Sequence, residues 1–277
     1  MRDLKLPDLS GSPEPVARRI SKALRQAIVT MRVMPGEMLS EQEIAQHFSV
    51  SRQPVREAFI KLSEAGLVRV LPQRGTLVVK ISVAAVEDAR FVREAIECAL
   101  ARRAALAIRA DASLLASLEG YVAAQERAAT ARDAEPFFQL DEDFHRSLAA
   151  LAGRPSAWRI VEDVKAQMDR VRFLDMSEAQ PMAVVISQHR AILDALGRGD
   201  PDAAEHTMRL HLSQIEKTLP VLSRRYPDLF EPPNRIADMA LATPSSRAAT
   251  AAIGGSRRYQ RRSDKPAVLT PARRTPA

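Results

Sequence analysis

Residues 35–75 read PGEMLSEQEIAQHFSVSRQPVREAFIKLSEAGLVRVLPQRG, and this stretch decides the fold of the N-terminal part of the chain. Ser40 precedes Glu43 by three residues, which is the spacing of a capping box and predicts a helix beginning at Glu41. The segment 49–51 (Ser-Val-Ser) then interrupts the helical pattern, and Ser51 is placed to cap a second helix. The stretch therefore predicts a short helix, a tight turn and another helix.

The second helix of this stretch has one apolar face and one basic face. Val55, Phe59 and Leu62 recur at helical spacing, while Arg52 and Arg56 lie largely on the opposite side. Two short helices joined by a turn of about four residues form a helix-turn-helix, whose second helix enters the major groove of DNA. Arginine can bind guanine in that groove, so the pattern predicts DNA binding. A helical hairpin with a solvated, charged face is the alternative.

A basic hairpin follows the second helix. Gly66 is predicted to end the helix, and residues 68–70 and 76–79 have the composition of strands. The segment Gln73-Arg74-Gly75 lies between them as the tip. We interpret this hairpin as a wing, whose arginine can enter a minor groove or contact phosphate.

Charge is unevenly distributed along the 277 residues, whose formal net charge is +7. Lys and Arg outnumber Asp and Glu by 11 to 6 in residues 13–80 and by 9 to 3 in residues 231–277, whereas residues 81–230 carry 19 against 23. Attraction to phosphate is therefore expected at the two ends of the chain. The sequence contains no apolar run of membrane-spanning length, and the single cysteine, Cys98, is expected to be a buried thiol; both features favour a cytoplasmic protein.

The words MPGEMLSEQEIAQHFSVSRQPVREAFIKLSEAGLV resemble the GntR family of bacterial transcription regulators. The resemblance implies a winged helix-turn-helix over residues 13–80 that binds a palindromic operator as a homodimer. It also implies the DNA-contacting positions, which are Ser51, Arg52, Gln53, Pro54, Arg56, Arg74 and Gly75. Gln42 departs from members that carry an arginine there, so the resemblance does not predict the operator sequence.

Helical patterns fill the chain beyond residue 81. We predict a first helix at residues 13–31 of the head, and a bundle of six or seven helices in residues 81–223. The predicted bundle segments are 83–108, 113–132, 136–151, 155–176, 182–196 and 201–222. Residues 1–12 are expected to be flexible, and the basic segment 224–277 is expected to be a disordered tail.

Four polar residues of the bundle have the chemistry of metal ligands. Asp141 and His145 are four residues apart on one helix, and His189 and His211 lie on two later helices among apolar neighbours. Taken singly, each histidine is more often a hydrogen-bonded core or surface residue. Together, three imidazoles and one carboxylate suit Zn, Ni, Co or Mn.

The segment EDARFVREAIECALARRAA and the region from about Val86 to Leu222 resemble the FCD domain of the FadR-type branch of GntR regulators. This resemblance implies that Asp141, His145, His189 and His211 bind a metal, and that a small carboxylate effector binds nearby. It also places Arg93 beside the effector, although an ion pair with Glu97 is an equal alternative. Four further residues are candidates for lining the same cavity: Arg146, Trp158, Arg172 and Gln188.

Two other functions are compatible with a metal in this bundle. One is a metal-dependent hydrolase, because a histidine-rich site can activate water. The other is a regulator whose metal only stabilises the fold. The GxSxG, HExxH and P-loop motifs are absent from the sequence, and an enzyme would give the winged head no purpose, so we predict a regulator and not an enzyme.

Overall fold

The computed structural model describes residues 6, 13–177 and 179–232, without the side chains of residues 179 and 180. Its N-terminal part contains three helices and a small antiparallel sheet with strand order β1-β3-β2. The elements are α1 (Val16–Val29), β1 (Met38–Leu39), α2 (Glu41–His47), α3 (Arg52–Glu64), β2 (Val68–Leu71) and β3 (Gly75–Val78). This is the winged helix-turn-helix that the sequence predicts.

The core of this head lies between α1 and α3. Ile20 and Leu24 of α1 are fully buried, as is Val55 of α3, and Phe59 is 2% exposed. Because the apolar residues of α3 recur at helical spacing, packing them inward leaves Arg52 and Arg56 exposed.

The two predicted helix caps differ in the structure. The Ser40 side chain accepts a hydrogen bond from the Glu43 amide, as predicted for the start of α2. Ser51 precedes α3 in extended conformation, but its side chain makes no capping bond, so the prediction of a Ser51 cap was wrong. Gly66 lies just beyond α3 with a φ of +68°, a left-handed conformation that glycine adopts without strain and that ends the helix.

The wing is formed by β2 and β3, which pair antiparallel from Val68–Val78 to Leu71–Gly75. Gln73 and Gly75 have φ values of +59° and +109°, which close the turn at the tip. The sequence did not predict β1, whose two residues pair with Leu77 and Thr76 of β3. A strand of two residues has no alternation to detect, and its pairing partner lies far along the chain.

Eight α-helices form the bundle within the described residues. They are α4 (Val83–Ala110), α5 (Leu115–Ala131), α6 (Ala134–Leu151), α7 (Pro155–Val164), α8 (Ala166–Met176), α9 (Ala179–Gly197), α10 (Pro201–Leu212) and α11 (Gln214–Arg225). All six predicted segments are helical, but two of them are divided, at Lys165 and at Ser213, so the described bundle has eight helices where six or seven were predicted. The Ser213 hydroxyl donates to the Leu210 carbonyl, a local bond that competes with the helix ladder.

The structure changes the predicted end of the bundle. The tail was expected from residue 224, but α11 continues to Arg225, and Phe230 is buried beside Ile81, with which it forms a β-bridge. The packed chain therefore extends at least to Phe230, and residues 233–277 lie outside the described part. Of the predicted flexible segment 1–12, the structure describes only Leu6, which packs in the core of the head.

The head and the bundle meet along α1 and α8. Ala166 at the start of α8 belongs to the hydrophobic core of the head. The Arg25 guanidinium of α1 donates to the carbonyl of Glu162 at 2.9 Å and lies 3.4 Å from Asp169 Oδ2 of α8. Among the described helices, none is long and apolar enough to cross a membrane.

Candidate metal centre and DNA-binding surface

Three helices bring the four predicted metal ligands together at the centre of the bundle. Asp141 and His145 come from α6, His189 from α9 and His211 from α10. One ligand atom from each residue lies within 4.8 Å of the other three, and all four residues are buried. Since metal–nitrogen bonds of about 2.1 Å place opposite ligands about 4.2 Å apart, the cluster is close to the dimensions of a metal site.

The outward nitrogen of each histidine lies next to a side-chain oxygen that can accept a hydrogen bond. His145 Nδ1 lies 2.5 Å from Glu97 Oε2. His189 Nδ1 lies 2.9 Å from Gln125 Oε1, and His211 Nδ1 lies 2.9 Å from Gln188 Oε1. An acceptor at Nδ1 fixes the proton on that nitrogen and turns the lone pair of Nε2 towards the centre, as in metal-ligating histidines. The three Nε2 atoms therefore all face the cluster.

The protonation states also suit a cation. Burial lowers the pKa of His189 to about 3, although nearby Asp141 opposes this shift. Burial, with a contribution from His189, lowers the pKa of His211 well below its usual value. Burial acts to raise the pKa of Asp141, but the charges around it, that of Arg172 foremost, together hold that pKa below its usual value. Neutral imidazoles and an ionised carboxylate are the forms that bind a metal.

Two buried atoms that face the centre of the cluster lack hydrogen-bond partners within the described part of the chain: Asp141 Oδ1 and His189 Nε2. They lie 3.6 Å apart. An unpartnered polar atom in a protein interior is costly, and two acceptors that face each other need a positive group between them. The residues therefore fit a divalent transition metal, and the chemistry of the set does not distinguish Zn from Ni, Co or Mn.

Trp158 of α7 lies against this cluster. It is the single tryptophan of the chain, it is 2% exposed, and its ring stacks on His145 with a centroid distance of 6.3 Å and an interplanar angle of 7°. The fluorescence of Trp158 is therefore expected to change when a metal binds to His145. Cys98 on α4 is buried as predicted, and burial raises the pKa of its thiol to about 11.

A narrow cavity opens beside the cluster, between α4, α8, α9, α10 and α11. It is lined by Arg93, Arg172, Gln188 and His211, among others. Arg93 forms the ion pair with Glu97 that the sequence offered as an alternative, through its Nε atom. Its Nη2 atom is buried and has no hydrogen-bond partner within the described residues, so Arg93 retains an unused donor. An ion pair with Glu97 and a contact with an effector are therefore compatible roles for Arg93.

Of the four other cavity candidates, Gln188 and Arg172 line this cavity, whereas Arg146 and Trp158 do not. Arg146 lines a separate cleft between α1 and the bundle, where it pairs with Asp143 and Glu162. Trp158 stacks on His145, as described above. Arg172 lines the cavity, but its guanidinium group is already paired with the carboxylate of Asp141.

The sequence did not identify the partners of the histidines. Gln125 is fully buried on α5, where Leu118 and Val122 precede it on the same apolar stripe. An amide at a core position of such a stripe is a detectable signal for a buried polar partner. The sequence around Glu97 and Gln188 gives no comparable signal, because each meets its histidine only where the tertiary fold brings two helices together.

The predicted DNA-contacting residues lie at the start of α3 and in the wing. The five exposed residues among them are Ser51, Arg52, Gln53, Arg56 and Arg74, and Pro54 and Gly75 are half-buried. One groove between the starts of α2 and α3 and the wing is lined by Arg52, Arg56, Arg74 and Gly75. Arg52 donates to Gln42 and Arg56 donates to Glu41, so residues of α2 hold both arginines at this surface.

A winged helix-turn-helix with an arginine-rich second helix, joined to a helical domain with a buried His/Asp cluster, defines the class of DNA-binding transcription regulators. Comparison with known proteins gives the family. Residues 16–78 match the model of bacterial regulatory proteins of the gntR family, and residues 88–214 match the FCD domain. The chain belongs to the GntR family of transcription regulators, with an FCD domain after its DNA-binding head.

Two curated relatives and one solved structure illustrate this membership. The chain is 42% identical over 217 residues to the HTH-type transcriptional repressor RspR of Escherichia coli (strain K12), covering 78% of this chain and 94% of that protein. It is 39% identical to an HTH-type transcriptional regulator of Streptomyces ambofaciens, covering 77% and 89%. The structure of E. coli McbR/YncC has the same fold, with a TM-score of 0.66 at 17% identity and coverage of 77% and 99%.

Proposed function

We propose that this protein is a metal-dependent transcriptional repressor, in which residues 13–80 bind a palindromic operator and residues 81–223 sense a small carboxylate beside the metal. The observation that carries the proposal is the convergence of three Nε2 atoms and a carboxylate in one buried cluster, with an acceptor behind each imidazole. The relative RspR is named as a repressor, which supports that direction of control.

The metal would be held by Asp141, His145, His189 and His211. When bound, it supplies a positive charge at the end of the cavity and a Lewis-acidic position for an anion. Arg93 Nη2 is a buried donor with no partner among the described residues, in the same cavity as His211. A carboxylate between these two positions would neutralise the metal and satisfy Arg93, so hydroxy acids, sugar acids and dicarboxylates are the effector class that fits.

A chain of charged side chains connects the cluster with the head. Arg172 binds Asp141 through Nη2, and its Nη1 atom lies 3.0 Å from Asp169 Oδ1. The other oxygen of Asp169 lies 3.4 Å from Arg25 Nη2 on α1. Because α1 packs against the DNA-reading helix α3, a shift of Arg172 towards or away from Asp141 alters the anchorage of the head. We infer that this relay communicates the occupancy of the cluster to the DNA-binding surface.

The relay couples the two sites only if the effector binds the DNA-competent and incompetent arrangements with different affinity. Couplings of this kind are typically about 1–3 kcal/mol, or about 5- to 150-fold in affinity. An effect of that size is measurable by fluorescence anisotropy with a labelled operator.

The experiment that tests this function begins with the selection of host genomic fragments by the purified, metal-loaded protein. Sequencing of the selected fragments is expected to give a few short palindromes, which reflect the two-fold symmetry of a dimer. Diffuse, salt-sensitive binding without a motif would contradict the operator model, because it would mean that the basic ends only bind phosphate.

The same palindromes then separate sensing from a structural metal. Citrate and malate serve as probe carboxylates, titrated into metal-loaded, metal-free and Arg93→Met protein bound to the operator. A sensing metal predicts that the probes release only the metal-loaded wild-type protein. Equal release with and without the metal would assign the metal a structural role.

A further inference from the structure

Helix α8 lies between the bundle and the head, and one side of it contacts the ends of α3 and of the wing. The Gln167 side chain donates through Nε2 to the carbonyl of Gly66, just beyond α3. Arg170 donates through Nη1 to the carbonyl of Val79, which directly follows β3 of the wing, at 2.8 Å. The same Nη1 atom lies 3.3 Å from Gln167 Oε1, so the two side chains form one hydrogen-bonded group. The position of α3 and the wing therefore depends on α8.

The guanidinium of Arg170 is buried at this junction without a compensating charge. Arg170 is 0% exposed, and its Nε and Nη2 atoms have no hydrogen-bond partner among the described residues. The Nη1 atom donates to neutral oxygens, those of the Val79 carbonyl and the Gln167 amide. Burial lowers the pKa of the Arg170 guanidinium to about 10, and no neighbouring charge opposes that shift. A buried cation without a carboxylate destabilises the arrangement that buries it.

Four lysine or arginine residues are buried in the described part of the chain, and three of them are paired with carboxylates. The three pairs are Arg93 with Glu97, Lys165 with Asp169 and Arg172 with Asp141. Arg170 is the fourth, and it is the one that donates to a carbonyl of the head. The loss of hydration is therefore compensated inside the bundle and left uncompensated where the bundle meets the head.

We propose that Arg170 is a positioning residue whose buried charge weakens the docking of α3 and the wing against α8, and that this allows the head to move when the metal cluster changes state. Apolar contacts favour docking, since Ala166 packs in the hydrophobic core of the head. Undocking returns the guanidinium to water, which offsets part of the loss of these contacts. A ligand can shift such an equilibrium when it is close to balance. This inference rests on the proposed function, and it identifies the junction at α8 as the element that changes.

Helix α8 contacts the metal cluster as well as the head. Arg172 lies two residues after Arg170 on the same helix of 11 residues, and its Nη2 atom binds Asp141. Residues two positions apart on a helix do not share a face, so α8 contacts the cluster with one side and the head with another. A shift or rotation of α8 that follows a change at Asp141 therefore also moves Arg170 relative to Val79.

The test is hydrogen–deuterium exchange of the full-length, zinc-loaded protein, followed by mass spectrometry of peptides from residues 64–81, which span the end of α3 and the wing. Arg170→Met removes the charge and keeps a side chain of similar length. We expect this variant to slow exchange in these peptides by about 5-fold or more, because replacing a buried charge by an apolar side chain stabilises the state that buries it. Exchange as fast as in the wild type, or faster, would overturn the proposal.

Three further variants separate the charge of Arg170 from its other properties. Arg170→Gln removes the charge but keeps a donor for the Val79 carbonyl, so it should also slow exchange. Arg170→Lys keeps a cation, so its peptides should exchange at least as fast as those of the wild type. Arg127→Met is the matched control, because Arg127 is exposed on α5, and it should behave like the wild type. Slower exchange in Arg170→Lys as well would contradict a role for the charge.

Operator affinity with and without zinc distinguishes this inference from the proposed function. Arg170→Met should keep the zinc affinity of the wild type and lose most of the effect of zinc on operator affinity, because its head stays docked. Slower exchange with an unaltered zinc effect would overturn the role of Arg170 in communication with the DNA-binding surface. A wild-type protein whose operator affinity does not depend on zinc would contradict the proposed function, and the exchange comparison would still decide whether the buried charge weakens docking.

Discussion

Replacement of a residue behind a metal ligand should weaken metal binding by a predictable amount. Gln125 is fully buried, and its Oε1 atom lies 2.9 Å from His189 Nδ1. In Gln125→Leu the imidazole loses the acceptor that fixes its tautomer, and loss of such a partner typically costs about 10- to 100-fold in metal affinity. His189→Ala removes the ligand itself and should cost more.

The affinity loss converts into a melting-temperature difference. At a free metal concentration 100 times the wild-type Kd, binding stabilises the folded state by about 2.7 kcal/mol. For a chain of this size, about 1 kcal/mol corresponds to ~2–4 °C, so metal should raise the wild-type Tm by about 5–11 °C. At the same metal concentration, a 10- to 100-fold weaker site leaves only about 0.4–1.4 kcal/mol, or roughly 1–6 °C.

The assay is thermal unfolding with and without zinc, with the affinity measured separately by competition against a chromophoric chelator. Trp158 fluorescence reports binding independently, because its ring stacks on His145. His206→Ala is the matched control, since His206 lies on α10 like His211 but is exposed. An unchanged zinc affinity in both Gln125→Leu and His189→Ala would refute the assignment of this cluster as the metal site.

Three further predictions concern the head, the relay and the fold. Arg52→Ala should abolish specific operator binding and leave the zinc-dependent rise in Tm intact; simultaneous loss of both would contradict the division of labour between the domains. Arg25→Met should leave zinc affinity unchanged and reduce the effect of zinc on operator affinity, as measured by anisotropy titrations. Arg18→Met, an exposed change on the same helix, is the control and should preserve that effect. Equal behaviour of the two variants would show that the relay does not pass through Arg25. Gly199→Ala should destabilise the fold by about 1–3 kcal/mol without altering zinc or DNA affinity, because Gly199 has a φ of +60° and a new Cβ would lie 2.7 Å from Arg109 Cβ. The measurement is unfolding in denaturant. A variant as stable as wild type would show that the turn relaxes freely.

The head could be predicted from the sequence because its signals are local. The Ser40 cap, the helical spacing of Val55, Phe59 and Leu62, and Gly66 after α3 each act within a few residues. The four residues of the buried Asp/His cluster were also predicted from the sequence, since residue type and helical spacing favour inward positions and the family resemblance gives the set. Their convergence within 4.8 Å is a property of the tertiary fold.

The remainder depends on contacts between distant parts of the chain. His189 and Gln125 are 64 positions apart, and Arg25 and Asp169 are 144 apart, so no local pattern pairs them. The division of a predicted helix at Lys165 also depends on contacts between distant parts of the chain. Lys165 is 2% exposed and its ammonium lies 2.6 Å from Asp169 and also contacts Glu142, so the bend places a charge between two helices. Periodicity detects an apolar face, but it does not reveal a bend that serves a buried ion-pair network.

The central claim is that the state of the His/Asp cluster controls binding of the head to DNA. The most direct test is the affinity of wild-type, His189→Ala and His206→Ala protein for a selected palindrome, with zinc present and after its removal by a chelator. Removal of zinc is predicted to change the affinity of wild type and His206→Ala by about 10-fold or more and to have no effect on His189→Ala, within the ~5- to 150-fold range of such couplings. Equal operator affinity of the wild-type protein with and without zinc would contradict the account.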